Sequence, residues 1–219
     1  RDAFEANFAD HGEVGAGVCL YVDGVPVVDL TGGVRTDGTP YDDRTLQMVF
    51  SSTKGATAAC AHLLAQRGEL DLHAPVATYW PEFAAKGKGD IPVSWLLCHK
   101  AGLVDTEGAL TYEQMLDWDT VVAALADSTP LWEPGTQHGY HAVTYGWLVG
   151  EVVRRVSGMS LGEFFASEIA APLGLEFWIG LPTSEQARVS QLIPIAPPEG
   201  LPMMMAEEGT GGGDGSAPA

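Results

Sequence analysis

The stretch VFSSTKGATAACAHLLAQRGEL, residues 49–70, decides how the chain is read. A strand-like run ends near Phe50 and a helix-forming run begins at Ser52. At the changeover stand Ser51 and, three positions on, Lys54, one of only four lysines in the chain. Residues i and i+3 at the start of a helix share one face, a turn apart. The serine and lysine side chains are therefore expected to meet. A serine hydroxyl is a poor nucleophile until a base removes its proton. A lysine serves as that base when burial and the positive end of a helix dipole depress its pKa. The same helix start offers backbone N–H groups to an oxyanion. The small and apolar neighbours of the pair fit burial. The plainer reading of Ser51 or Ser52 is a helix N-cap, and Ser-x-x-Lys alone does not separate the two.

Outward from this stretch, the pattern is a β-hairpin followed by helices. Residues 15–34, GAGVCLYVDGVPVVDLTGGV, hold two β-rich runs around Asp23-Gly24, a strong hairpin signal. A helix from Ser52 should close near Gly68. ELDLHAPVATYWPEF reads as a short helix broken by Pro75 and Pro81, and PVSWLLCHKAGL as a helix ended by Gly102. TYEQMLDWDTVVAALADS reads as one amphipathic helix with Thr111 as N-cap and Glu113 just behind it. Two more helices, AVTYGWLVGEVVRRVSG and SLGEFFASEIAAPLG, should close at Gly158 and Gly174. Later strand signals are weak, in EFWIGLP and RVSQLIPIA.

The expected fold is therefore α+β, an antiparallel sheet with a helical region and the site at their junction. The segments are the hairpin and nucleophile helix over 1–60, the helical region over 61–182, an irregular return over 183–205 and a Gly-rich tail over 206–219. The tail, made of Gly, Ser, Ala and acidic residues, cannot bury a core and should be flexible. A two-stranded hairpin is not stable alone. Its sheet partners are expected either among the helices or in strands beyond this sequence.

Composition excludes several classes of partner. The 219 residues are 46% apolar, enough for a core, and carry 11 basic against 29 acidic side chains, a net charge of −18. Such a surface repels phosphate backbones and anionic lipid heads, so nucleic-acid and membrane-surface partners are not expected. No apolar run reaches the roughly 18 residues of a membrane helix. The acidic N-terminus is not a signal peptide. Cys19, Cys60 and Cys98, an odd and widely spaced set, read as buried free thiols of a reducing, cytoplasmic protein.

A lysine-activated serine needs a second group that passes the proton to the leaving group. Tyr140 lies after a Pro-Gly loop and before a helix, in EPGTQHGYHAVTYGWLVGEVV, and a phenol near a lysine can do this. Its plainer reading is an aromatic plug at a helix start. FSSTKG, LLCHKAGL, WEPGTQHGYHAVTYGWLVGEVV and SLGEFFASEIAAPLGL, in this order over about residues 13–182, together resemble the serine β-lactamase-like family. That family comprises class C β-lactamases, penicillin-binding DD-peptidases and family VIII carboxylesterases. The resemblance implies Ser51 as nucleophile, Lys54 as general base and Tyr140 as proton relay.

The chain departs from the family pattern twice. Where the Tyr-x-Asn motif would place asparagine there is Ala142, which favours ester substrates over β-lactams. The third motif, a late Lys-Thr-Gly or its His/Trp-x-Gly variant, is not found. That strand normally supplies the second oxyanion-hole donor, so the sequence is expected to lack about the last third of a family member.

Trp132 is the best candidate for an acyl-pocket wall, and Trp80, Trp118, Trp147 and Trp178 read mostly as core. His141 is expected to line the cleft as a substrate-binding residue. His99 reads as a structural imidazole bonded to backbone. With His138 and Cys98 these histidines lack the ordered spacing of a zinc site, so no metal is expected. Arg154-Arg155 reads as a solvated helix face or a salt-bridge pair. There is no Gly-x-Ser-x-Gly elbow, and GTGGGDG follows no strand and precedes no lysine, so it is not a phosphate loop.

The function read from this is a serine hydrolase forming an acyl-enzyme, a carboxylesterase on short acyl esters, with a small-molecule ester or amide as partner and no cofactor. A β-lactamase or D-amino-peptidase is the alternative within enzymes. A non-catalytic ligand-binding or scaffold member is the alternative of another class, though such a member has no reason to keep both Ser51 and Lys54.

Overall fold

A computed structural model describes residues 1–193 of the chain. The tail expected over 206–219, and the end of the return segment before it, lie outside the described residues. The described residues form two compact units, one of residues 1–48 and 188–193, the other of residues 49–187.

In the first unit, helix α1 (Asp2–Asp10) precedes the hairpin β1 (Gly15–Val22) and β2 (Val25–Gly33). The strands pair antiparallel from Gly15↔Gly33 to Val22↔Val25, with an irregularity at Leu20/Tyr21. Asp23 and Gly24 both take positive φ, +51° and +76°, as a two-residue turn matched to strand twist requires. A second small ladder pairs β3 (Leu46–Gln47) with β4 (Val189–Ser190) in parallel. EFWIGLP forms no strand, and RVSQLIPIA contributes only the two residues of β4 among those described.

In the second unit, α2 (Thr53–Gln66) buries Thr57, Cys60, Ala61 and Leu64, a stripe at helical spacing. It packs on α6, whose buried face runs from Tyr145 through Leu148, Val149, Val152 and Val153. Between them come α3 (Val93–Leu97), α4 (Tyr112–Met115) and α5 (Trp118–Asp127), then α6 itself (Tyr145–Ser157), α7 (Leu161–Phe165) and α8 (Ala171–Leu173). The apolar core, with Trp80, Phe83, Leu96, Leu103, Leu125 and Phe164, belongs to this unit.

Several elements differ from expectation, each for a local reason. The single helix expected over 111–128 is two. Asp117 leaves the helical region, and its carboxylate accepts the Thr120 N–H at 2.8 Å, capping α5 instead of continuing α4. Thr111 caps α4 as expected, but its capping-box partner is Gln114, not Glu113. The helix of PVSWLLCHKAGL stops at Leu97 rather than at Gly102, because His99 adopts φ +60°. Gly158 and Gly174 close α6 and α8 in left-handed conformations, as expected. Only Cys60 of the three free cysteines is buried, and burial pushes its thiol up to about 11. Cys19 and Cys98 are exposed.

Candidate active site

Ser51 sits in a 3₁₀ turn, Phe50–Ser52, that runs directly into α2. Phe50 holds φ +43°, a left-handed conformation that costs a non-glycine residue about 1 kcal/mol or more and clusters at functional sites. Neither serine makes a side-chain capping bond, although Ser52 occupies the N-cap of α2. Instead Lys54 Nζ stands 3.0 Å from Ser51 Oγ. The i, i+3 spacing thus brings hydroxyl and amine together one turn apart. Ser51 is exposed and Lys54 half-buried.

Tyr140 joins them from the loop before α6. The Ser51 and Lys54 side chains beside its phenol, and then the Lys54 charge, hold its pKa below the usual tyrosine value. Lys54 Nζ also lies 4.8 Å from the Tyr140 ring centroid. A third group, which sequence reasoning missed, completes the cage: the carbonyl oxygen of Ala142 accepts from Lys54 Nζ at 2.6 Å. A backbone carbonyl leaves no mark in a residue pattern, so no sequence signal could have found it.

The Tyr140 loop is held against the segment His99–Leu103 by alternating bonds. Gly102 O accepts Leu131 N, Lys100 O accepts Gly135 N, and His99 O accepts Gly139 N, at 2.9, 3.0 and 3.1 Å. His99 Nδ1 accepts His141 N at 3.1 Å, and Thr144 Oγ1 donates to Leu103 O at 2.6 Å. The loop lies too close to two indoles for side chains at its glycines. A Cβ on Gly135 would stand 2.2 Å from the Trp95 ring, and one on Gly139 2.4 Å from Trp132.

His141 is not at the cleft wall where it was expected. It is fully buried, its Nε2 accepts Leu103 N at 3.0 Å, and its Nδ1 pairs with Gly139 O at 2.7 Å. Both ring nitrogens are used by backbone, so the side chain ties the loop and has none left for a substrate. These bonds assign the neutral Nδ1–H tautomer. Burial pulls its pKa down, the Gly139 carbonyl partly opposes this, and His138 adds to the depression. His99 does bond backbone as expected, but is only half-buried. Trp132 is half-buried, with its ring edge-on to His141 at 6.1 Å. Arg154 and Arg155 are the salt-bridge pair of the two readings, both held by Glu151. Among the described residues no three His, Cys, Asp or Glu side chains converge as a metal site, and no helix is long and apolar enough to cross a membrane.

Known proteins resemble the chain in sequence and fold. The Beta-lactamase family model matches residues 1–219. Esterase/beta-lactamase LipL of Mycobacterium tuberculosis is 38% identical over 195 residues, covering 87% of this chain and 45% of that protein. The crystal structure of a family VIII carboxylesterase superposes with TM-score 0.85 at 46% identity, over 89% of this chain and 55% of that one. A penicillin-binding protein homolog from Caulobacter crescentus gives TM-score 0.86 at 42% identity, over 93% and 54%. The chain spans about half the length of these relatives. It belongs to the Beta-lactamase family, with the β-lactamase-like α+β fold.

Proposed function

We propose that the chain carries the nucleophile half of a serine hydrolase that works through an acyl-enzyme, most closely a carboxylesterase on short acyl esters. The observation that carries this reading is the contact of Ser51 Oγ with Lys54 Nζ at 3.0 Å, with the Tyr140 ring centroid 4.8 Å from the same Nζ. In the neutral amine the same contact runs from the hydroxyl to nitrogen, while a remaining N–H is donated to Ala142 O. Ser51 Oγ then attacks the ester carbonyl carbon and its proton passes to Lys54. Tyr140 delivers a proton to the departing alcohol, and the C–O bond to that alcohol breaks. Lys54 passes the proton it took on to Tyr140. In the second half, water oxygen bonds the acyl carbon and its proton goes to the same pair; the bond from that carbon to Ser51 Oγ breaks as the pair returns the proton to Oγ, and the acid leaves. Partial positive charge at the start of α2 favours the developing oxyanion. Trp132, packed over Gly139 on the Tyr140 loop, serves as a wall for the acyl chain.

Ala142 supports esters over β-lactams, since no side-chain amide is available there to meet an acylamino group. The esterase names among the relatives point the same way. The experiment is intact mass spectrometry of the 219-residue chain before and after a fluorophosphonate, with p-nitrophenyl butyrate and nitrocefin turnover alongside. One adduct per chain, absent in Ser51→Ala, is expected. A folded chain that takes no adduct overturns the nucleophile assignment, and nitrocefin turnover above ester turnover moves the reading to a β-lactamase.

A further inference from the structure

Tyr140 is an exposed side chain on a loop, and its phenol must nonetheless stay within hydrogen-bond reach of two partners. One residue bonds the backbone on both sides of it. His99 O accepts the N–H of Gly139, immediately before Tyr140, and His99 Nδ1 accepts the N–H of His141, immediately after it. The imidazole between these bonds packs on the Tyr140 ring, with centroids 4.9 Å apart, and on Tyr145 at 5.0 Å. His99 reaches all of this only from its left-handed backbone, φ +60°, which also ends α3 early. A strained non-glycine residue persists where its surroundings over-determine it, and here two hydrogen bonds and two ring contacts do so. No hydrogen bond joins the ring to Ser51 or Lys54, so its action runs through the loop.

We infer that His99 is the positioning residue of this site: its carbonyl and its Nδ1 clamp the backbone on both sides of Tyr140 and fix the phenol against Ser51 and Lys54. The inference rests on the reading of Tyr140 as proton relay. The clamp needs an unprotonated Nδ1. Burial first, then the neighbouring His141, His138 and Lys54, keep the imidazole pKa below its ordinary value and so keep that lone pair available.

The chemistry of the clamp selects its own controls. In His99→Asn, Oδ1 falls where Nδ1 stood, and asparagine tolerates a left-handed backbone. His99→Phe keeps a ring and loses the acceptor. The chain is labelled with ¹³Cζ-tyrosine, and the Tyr140 resonance, assigned with Tyr140→Phe, is titrated in each protein beside the rate of fluorophosphonate labelling. In the unsubstituted chain Tyr140 should titrate below the usual tyrosine range. His99→Phe should return it toward that range and slow labelling about tenfold, since a displacement of about 1 Å can cost up to about a hundredfold. His99→Asn should hold both readouts within about threefold of the parent, because an acceptor remains in place. If His99→Phe does not fold, as judged by circular dichroism, His99→Gly takes its place with the same expectation, keeping the backbone conformation and deleting the acceptor. Unchanged Tyr140 titration in the acceptor-less variant overturns the inference. Equal losses in His99→Asn and His99→Phe also overturn it, because the acceptor would then not matter. If the unsubstituted chain takes no label, the hydrolase reading fails, while the tyrosine titration still decides whether His99 positions the phenol.

Discussion

Lys54 Nζ lies nearer to the carbonyl oxygen of Ala142, at 2.6 Å, than to Ser51 Oγ, at 3.0 Å. The carbonyl holds one face of the amine so that another faces the serine. Lys54→Met removes both contacts and the base, and should slow fluorophosphonate labelling of Ser51 at least about 100-fold, the range of general-base assistance. Lys54→Arg should be as slow, because a guanidinium can bond Ala142 but does not give up its proton near neutrality. Stopped-flow or gel-based labelling rates check this, and an arginine variant that labels at the parent rate would show that charge, not proton transfer, is what the lysine supplies.

Two histidines make stability depend on acid. His141 and His99 both have pKa values held below the ordinary 6.5, in each case first by burial. Between the depressed folded value and 6.5 the unfolded chain binds more protons than the folded one, so folding stability falls as pH falls. Their contribution is whole above about pH 6.5 and is lost as pH drops through the folded values. Protonation at His141 Nε2 also opposes the N–H of Leu103, which that nitrogen accepts. Urea midpoints measured from about pH 7 down to about pH 5 should decrease. His141→Gln, which offers Leu103 a non-titrating acceptor, should flatten that slope. A midpoint independent of pH over this range in the parent chain would contradict the assignment.

The parts of this architecture that were legible in the sequence are those in which one residue type meets one local demand. Asp23-Gly24 marks a turn because both residues accept positive φ. The i, i+3 separation of Ser51 and Lys54 becomes a 3.0 Å contact because the helix starts between them. What was hidden depends on contacts, near and far in the chain, that the residue pattern permits without requiring. The hydrophobic period of residues 111–128 continues across Asp117, and nothing in that period shows its carboxylate turning back to cap a new helix. His141 looked like a cleft residue beside Tyr140. Its burial is set by Leu103, Gly139 and Trp132 closing around it. Both Arg154 and Arg155 find the same carboxylate at spacings of three and four residues, which the sequence permits without requiring.

Glu151 is that carboxylate, fully buried in the middle of α6. It accepts Trp118 Nε1, Arg154 Nε and Nη2, and Arg155 Nε, at 2.7–2.9 Å. Burial alone would raise its pKa. The bonds from Arg154, Trp118 and Arg155 outweigh this and leave it lowered. The arginines reach on to Asp119 and Glu82, so one buried anion ties α6 to α5 and to the segment before α3. Removing one member of a buried pair typically costs about 3–5 kcal/mol. Since both arginines keep partial access to water, Glu151→Ala should cost about 2–3 kcal/mol, with Glu151→Gln recovering part through its remaining oxygen acceptor. Chemical denaturation of the three proteins checks the order, and a Glu151→Ala chain as stable as the parent would show that the network contributes nothing net.

Lys88 presents the converse case, a buried cation with no carboxylate bonded to it. It is fully enclosed, and its Nζ donates to Ala85 O, Ala126 O and Ser128 O at 2.8, 2.9 and 2.6 Å. Two of these carbonyls flank the C-terminal end of α5, where helix carbonyls lack intrahelical partners and the dipole favours a cation. The lysine therefore serves as a side-chain cap reaching in from another part of the chain. Ser128, at the same end, accepts Glu107 N through its hydroxyl at 2.7 Å, so the cap also steadies the segment leading to Trp132. Lys88→Met fills the same volume but leaves buried carbonyl acceptors without a donor, at about 1–3 kcal/mol for each that water cannot reach. A loss of about 3 kcal/mol, with earlier amide exchange in the last turn of α5 than in α2, is the expected outcome by denaturation and hydrogen exchange. A methionine variant of parental stability would mean that the carbonyls find other donors and that the ammonium is merely tolerated.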